Sequence, residues 1–198
     1  MEKRNKKTLL QKLGFLACGV VVLGMMGCAA SPQQSQGGKY LKYNFHYYSR
    51  GRDNYKVASV VNYVNCPNHG FLPYNTEVRV GRYRMGFKLR VAETGELILV
   101  DAPKKYTGNK TTGEYLDLIL SSNPVSYTDL SEIEQKGISS GKPIKGMSRK
   151  GIMIALGYPA PSFTPALDAG VWHYWNSRFI KCNVHFKDGE VEYISRLG

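Results

Sequence analysis

The sequence predicts an α+β fold: a small antiparallel β unit with one helix over residues 40–125, then a two-helix, three-strand unit over 126–198. Three observations point there. Short apolar runs broken by glycine, proline and asparagine fill residues 40–101, the rhythm of strands joined by close turns. Thr111-Thr112-Gly113-Glu114 is a capping box ahead of one short apolar run. Beyond Asp129, two helical patterns precede three alternating ones.

In the first unit, residues 56–64 are rich in valine and tyrosine, the residues that suit a pleated surface. Residues 77–80 and 83–91 read as strands flanking a tight turn at Gly81-Arg82, and residues 97–100 follow another turn at Gly95. Pro67-Asn68-His69-Gly70 and Leu72-Pro73-Tyr74-Asn75 carry loop chemistry. A small antiparallel sheet or an SH3-like barrel fits this grammar. Tyr115, Leu116, Leu118, Ile119 and Leu120 then make one short helix ended by Asn123-Pro124, packed on the sheet. In the second unit, residues 129–136 form a short helix stopped by Gly137. Ser148 caps a helix bearing Ile152, Met153, Ile154, Ala155 and Leu156, terminated by Gly157 and Pro159. Residues 171–175, 179–186 and 190–195 follow as strands, the last two joined by an Asp188-Gly189 hairpin turn.

Ahead of both units, Lys3, Arg4, Lys6, Lys7 and Lys12 precede an uncharged, mostly apolar stretch over residues 13–27. That is the layout of a secretory signal peptide. It ends at Met26-Gly27-Cys28-Ala29-Ala30, which resembles the lipobox of bacterial lipoproteins; Met25 stands where leucine is usual. The resemblance implies cleavage before Cys28, acylation of Cys28 and attachment to a membrane through that lipid. Ala29, rather than aspartate, after the cysteine implies passage to the outer membrane, as in enterobacterial lipoproteins. The other reading is an uncleaved signal anchor, since 18 residues from Leu13 to Ala30 carry no charge. Residues 28–39, largely Ser-Pro-Gln-Gln-Ser-Gln-Gly-Gly, are a flexible tether.

The whole chain has 27 Lys+Arg and 15 Asp+Glu, a formal net charge of +12 over 198 residues. Loss of residues 1–27 would leave 22 basic and 14 acidic side chains, a net +8. An exported protein does not meet nucleic acid, so the remaining charge points to a membrane or an acidic protein. With Gly81-Arg82 as the turn, Arg82, Arg84, Lys88 and Arg90 share one strand face, opposite Tyr83, Met85, Phe87, Leu89 and Val91. This stripe is the expected binding surface for anionic lipid head groups or an acidic partner, set against an ordinary solvated strand face.

Cys66 and Cys182 remain in the folded part. A disulfide between them would close a loop of more than a hundred residues, worth roughly 4 kcal/mol on the chain-entropy model; buried free thiols are the other state. Cys66-Pro-Asn-His69 and Cys182-Asn-Val-His185 resemble zinc spacing, but on a strand residues three apart point to opposite faces, so no metal site is expected. His46, His69, His173 and His185 sit in no catalytic frame and no phosphate-binding loop is present, so the sequence implies neither catalytic residues nor a cofactor. His46 falls in Phe45-His46-Tyr47-Tyr48, read as an aromatic packing or surface cluster.

Lys145-Gly146-Met147-Ser148, the apolar helix into Leu156-Gly157-Tyr158-Pro159, Trp172-His173-Tyr174 and the run from Val184 through Asp188-Gly189 to Val191 together resemble the BamE (SmpA/OmlA) family of small outer-membrane lipoproteins. The resemblance covers residues 133–194, about a third of the chain. It implies a domain related to the β-lactamase-inhibitor-protein fold, and a role assisting the machinery that inserts β-barrels, through contacts with its other lipoproteins and anionic phospholipid. This chain departs from the family by some ninety residues placed before the motif. The expected function is a lipid-anchored, non-catalytic binding or assembly module of the cell envelope, facing the periplasm. The alternative is an envelope lipoprotein that binds or inhibits a hydrolase or another ligand; the positive charge argues against basic lysozymes as its target.

Overall fold

The computed structural model describes residues 37–52, 55–177 and 179–197. The expected leader, Cys28 and the tether up to residue 36 lie outside the described residues. The fold is mixed α+β, with eleven strands and three helices among the described residues.

Eight strands make the larger sheet: β1 (Lys39–Leu41), β2 (Phe45–Arg50), β3 (Tyr55–Ser59), β4 (His69–Leu72), β5 (Glu77–Tyr83), β6 (Gly86–Val91), β7 (Leu97–Asp101) and β8 (Leu120–Ser121). Their order is β4-β2-β3-β7-β6-β5-β1-β8. All neighbours are antiparallel except β3 and β7, so the sheet is not purely antiparallel. The β5–β6–β7 meander returns beside β3, and its last strand runs in the same direction as β3.

Helix α1 (Thr112–Ile119) covers one face of this sheet. Thr111 and Glu114 form the expected capping box at its start. Tyr115 and Ile119 point inward, joining Phe87, Leu89, Ile98, Val78 and Val100 in one apolar core. Its end differs from expectation. Leu120 turns extended and becomes β8, pairing with Leu41, so the helix stops where its last apolar side chain is needed at the sheet edge.

Two further sequence expectations shift for one reason: a glycine that reads as punctuation serves a close approach instead. Gly81 lies inside β5, and a Cβ there would meet the Lys88 side chain at 2.5–3.3 Å, so the lysine stem rests on the bare backbone opposite. The hairpin turn falls at Arg84-Met85. Gly137 likewise does not stop its helix: α2 runs Glu132–Ser140, and a Cβ on Gly137 would clash with the Met147 sulfur. The stop is Gly141, left-handed at φ 63°, whose N–H closes on the Gly137 and Ile138 carbonyls.

Helix α3 (Arg149–Leu156) starts on Ser148, as expected, and α2 starts on a Ser131–Glu134 capping box. Glu134 joins the two helices, accepting also from the Ser148 hydroxyl. Both helices pack on a three-stranded antiparallel sheet of β9 (Val171–Trp175), β10 (Lys181–Lys187) and β11 (Glu190–Leu197), order β11-β10-β9. Trp172, Tyr174, Val184 and Phe186 face inward onto Met147, Ile152 and Leu156. Asp188 and Gly189, both at positive φ, form the hairpin turn. Gln36–Gly198 is one compact unit.

Candidate functional site

Cross-strand partners share a face, so the β5–β6 register decides how the predicted basic stripe is arranged. Arg79 pairs with Arg90 and Gly81 with Lys88, placing Arg79, Lys88 and Arg90 on the face turned away from α1. Arg82 pairs with buried Phe87, and Arg84 sits in the turn. The four predicted residues therefore do not form one stripe. Placing the turn at Gly81-Arg82 put residues 82–90 on a single strand; with the turn at Arg84-Met85, Arg82 belongs to β5 and to the other face. Lys88 and Arg90 stay together and gain Arg79.

Arg82 and Arg84 instead belong to the end of the sheet. Both are exposed there, beside Met85, which is 53% exposed. The Ala102 N–H donates to the Met85 carbonyl at 2.9 Å, so the loop leaving β7 is fastened to the hairpin tip. That loop carries exposed Lys104 and Lys105. The exposed Met85 thus shares this end of the sheet with Arg82 and Arg84, and the loop bearing Lys104 and Lys105 is fastened to it.

The same end receives the chain from its N-terminal side. Lys39 pairs with Val78 and Tyr40 with Glu77 in an antiparallel ladder, so residues before Lys39 run toward the Arg82–Arg84 end. Gly37 and Gly38 line a groove with Val80 and Leu116, one step nearer that end. Lys39 is itself a strand residue, which shortens the expected tether by one position.

These cations keep their charge available. Among the described residues the ion pair formed is Lys56 with Glu96, on the β3–β7 side of the sheet. Arg90 donates to the Gly95 carbonyl at 2.8 Å, which fixes its direction without neutralising it. Arg79 and Arg90 face each other directly, a like-charge cross-strand pair that an anion would relieve.

The cysteines take the free-thiol alternative. Cys66 is partly buried and Cys182 buried, and neither is bonded, so the possible bridge is absent. Burial pushes the Cys66 thiol up and the Cys182 thiol up to about 11, which makes both poor nucleophiles at neutral pH. Cys182 faces the helices while His185 lies on the opposite face, stacked on Tyr193 at 4.0 Å. Among the described residues no group of three or more His, Cys, Asp or Glu gathers at metal distance. No helix among them is long and apolar enough to cross a membrane.

No family model, curated protein or solved structure matches the chain.

Two arrangements were not foreseen. Lys104 and Lys105 join Arg82 and Arg84 because β6 and β7 are antiparallel; their clustering in Pro103-Lys104-Lys105 right after a strand is the one signal the sequence offered. The second is a histidine pair. His46 is 1% exposed and packs on His69 and Phe71, so of the two expected readings packing holds and the surface cluster does not; its Nε2 donates to the Ala155 carbonyl at 2.8 Å. A carbonyl can only accept, so Nδ1 is the bare nitrogen and accepts from His69 Nε2 at 2.6 Å. Burial pulls His46 down to about 3 and lowers His69 as well, with Lys142 adding to the effect on His69.

Proposed function

We propose that this protein is a lipid-anchored lipoprotein of the cell envelope, held at the outer membrane through acyl chains on Cys28, that serves as a non-catalytic binding and assembly module for other envelope proteins. One observation carries the reading: the chain reaches β1 from the end of the sheet that presents Arg82, Arg84, Met85, Lys104 and Lys105. Eleven residues from Cys28 to Lys39 reach at most about 38 Å. A bilayer holding the lipid therefore lies within range of the basic tip. Acyl chains on Cys28 tether the chain, and a basic patch adds an electrostatic contact that turns the tip toward an anionic leaflet. Each cation near an anionic leaflet adds about 1 kcal/mol.

The resemblance of residues 133–194 to the BamE family belongs to the same proposal. The element order α2-α3-β9-β10-β11 supports it, as do the Ser148 cap and the inward Trp172 and Tyr174. Barrel-assembly lipoproteins are the partner class it suggests.

Vesicle co-sedimentation of the chain from Ala29 onward tests the surface. Arg82→Gln with Arg84→Gln should weaken binding to vesicles rich in phosphatidylglycerol by about 30-fold, from about 1 kcal/mol for each cation lost. Equal binding by this variant removes the surface from the proposal. Labelled palmitate should enter the full chain and not Cys28→Ala; label retained in that variant removes the anchor. Affinity capture from solubilised envelope separates barrel-assembly components from a single hydrolase, the alternative partner.

A further inference from the structure

Away from the basic tip, a cavity of about 400 Å³ opens between the α2–α3 connection and the inner face of β10–β11. Its charged members are Lys142, one residue past the Gly141 stop, and Arg196, directly across the ladder from Cys182. No carboxylate lines it. Neither cation has an ion-pair partner among the described residues. The field of Lys142 falls on His69, another group that could only add positive charge.

Two amides complete the polar part, Asn65 and Asn176. Asn176 is the telling one. It is 7% exposed, its backbone N–H is bonded to the Ile180 carbonyl, and its side-chain amide lines the cavity. An amide presents both a donor and an acceptor. This one faces a cavity with two unneutralised cations. The floor is different in character: Val64, Cys182 and Ile194 are apolar, and Val64 and Cys182 are each 3% exposed.

We infer that this cavity is a binding site for a small organic anion with an apolar body, its carboxylate or phosphate held by Lys142, Arg196 and the Asn176 amide and its apolar part seated on Val64, Cys182 and Ile194. The volume lies within the range of small-molecule pockets, whose usual composition is an apolar lining with a few convergent polar groups. A bare inorganic anion would leave the apolar floor wet. A neutral amphiphile would leave Lys142 and Arg196 in the cavity wall without a counter-charge.

The test uses the chain from Ala29 onward, which contains the whole compact unit, and three probes titrated by amide chemical shifts. Octanoate should shift the amides of Asn65, Lys142, Asn176, Cys182 and Arg196. Octanol and inorganic phosphate should each bind at least tenfold more weakly. Lys142→Gln and Arg196→Gln, both at exposed positions, should each weaken octanoate about 3-fold and the double variant about tenfold. Unchanged shifts at Val78 and Leu89 certify their folding. Phosphate binding as tightly as octanoate overturns the apolar half of the inference. Octanol binding as tightly overturns the anionic half. Octanoate shifts outside the cavity, or indifference of the double variant, overturns the site itself. Vesicle binding through Arg82 and Arg84 is read separately, so this inference and the proposed membrane role stand or fall independently.

Discussion

The buried histidine at the centre of the fold should make stability depend on acid, and the size of the effect follows from geometry. His46 Nε2–H is committed to Ala155, and Nδ1 receives the proton of His69. A second proton on His46 would have to sit on Nδ1, directly against the His69 N–H, in a fully buried site. The folded protein resists it, holding the His46 pKa at about 3 against an ordinary 6.5. Between those two values the unfolded chain binds the extra proton and the folded one does not, so stability falls as pH falls. The contribution is complete above 6.5 and drains below it at about 1.4 kcal/mol per pH unit. Moving from pH 7.5 to 5.0 should therefore cost about 2 kcal/mol through His46, with His69 adding in the same direction. Urea unfolding followed by Trp172 and Trp175 fluorescence at the two pH values measures it. His46→Gln keeps an amide donor for Ala155 and removes the titration, while the other ionisable groups are common to both proteins and cancel in the comparison. The wild type should lose about 2 kcal/mol more than the variant. Equal losses would show that His46 is not held neutral by the fold.

Two packing tests address the elements that carry the site. Glu134→Ala removes the acceptor for Ser131 and Ser148, which begin both helices, and should cost about 2 kcal/mol at pH 7 in urea unfolding. Burial pushes this carboxyl up, but those hydrogen bonds outweigh it and lower its pKa, so its stabilisation is lost as pH drops through the carboxylate range. Gly86→Val would drive a side chain into the Val100 carbonyl and Ala102 and should cost about 2 kcal/mol while loosening the hairpin tip, read as faster exchange of the Ala102 amide.

What could be read from the sequence was what local rules decide. Thr111–Glu114, the Ser148 cap and the Asp188-Gly189 turn depend on residues within four positions of each other, and all are where the sequence put them. Gly81 and Gly137 misled because a glycine demanded by a distant side chain looks the same as one demanded by a turn. Lys88 and Met147 supply those demands from the next strand and the next connection. That single displaced turn also split the basic stripe, since one residue of register exchanges strand faces. The histidine pair joins positions 23 apart, and the cationic cavity draws on five separate segments. No spacing rule finds either.

The hydrogen bonds that meet at α3 tie residues 40–75 to the two helices α2 and α3. A helix leaves its last carbonyls unpaired, and α2 and α3 both end against β1–β2. Asn44, 1% exposed, donates to the Ile138 and Ala155 carbonyls at 2.7 and 3.3 Å and accepts from the Tyr74 N–H, while His46 donates to Ala155 as well. Asn62 reaches the Tyr158 carbonyl at 2.7 Å, just past the Gly157 stop. Residues 40–75 thus supply donors that the two helices lack in their own sequence. Leaving such carbonyls buried and unmet costs about 1–3 kcal/mol each, so several of them together rival the net stability of a small domain. The first unit is therefore part of what folds the second. Because Asn44 lies in the short connection between β1 and β2, and β1 brings the chain in beside the basic tip, that connection links the chain's entry into the sheet to the seam that caps α2 and α3.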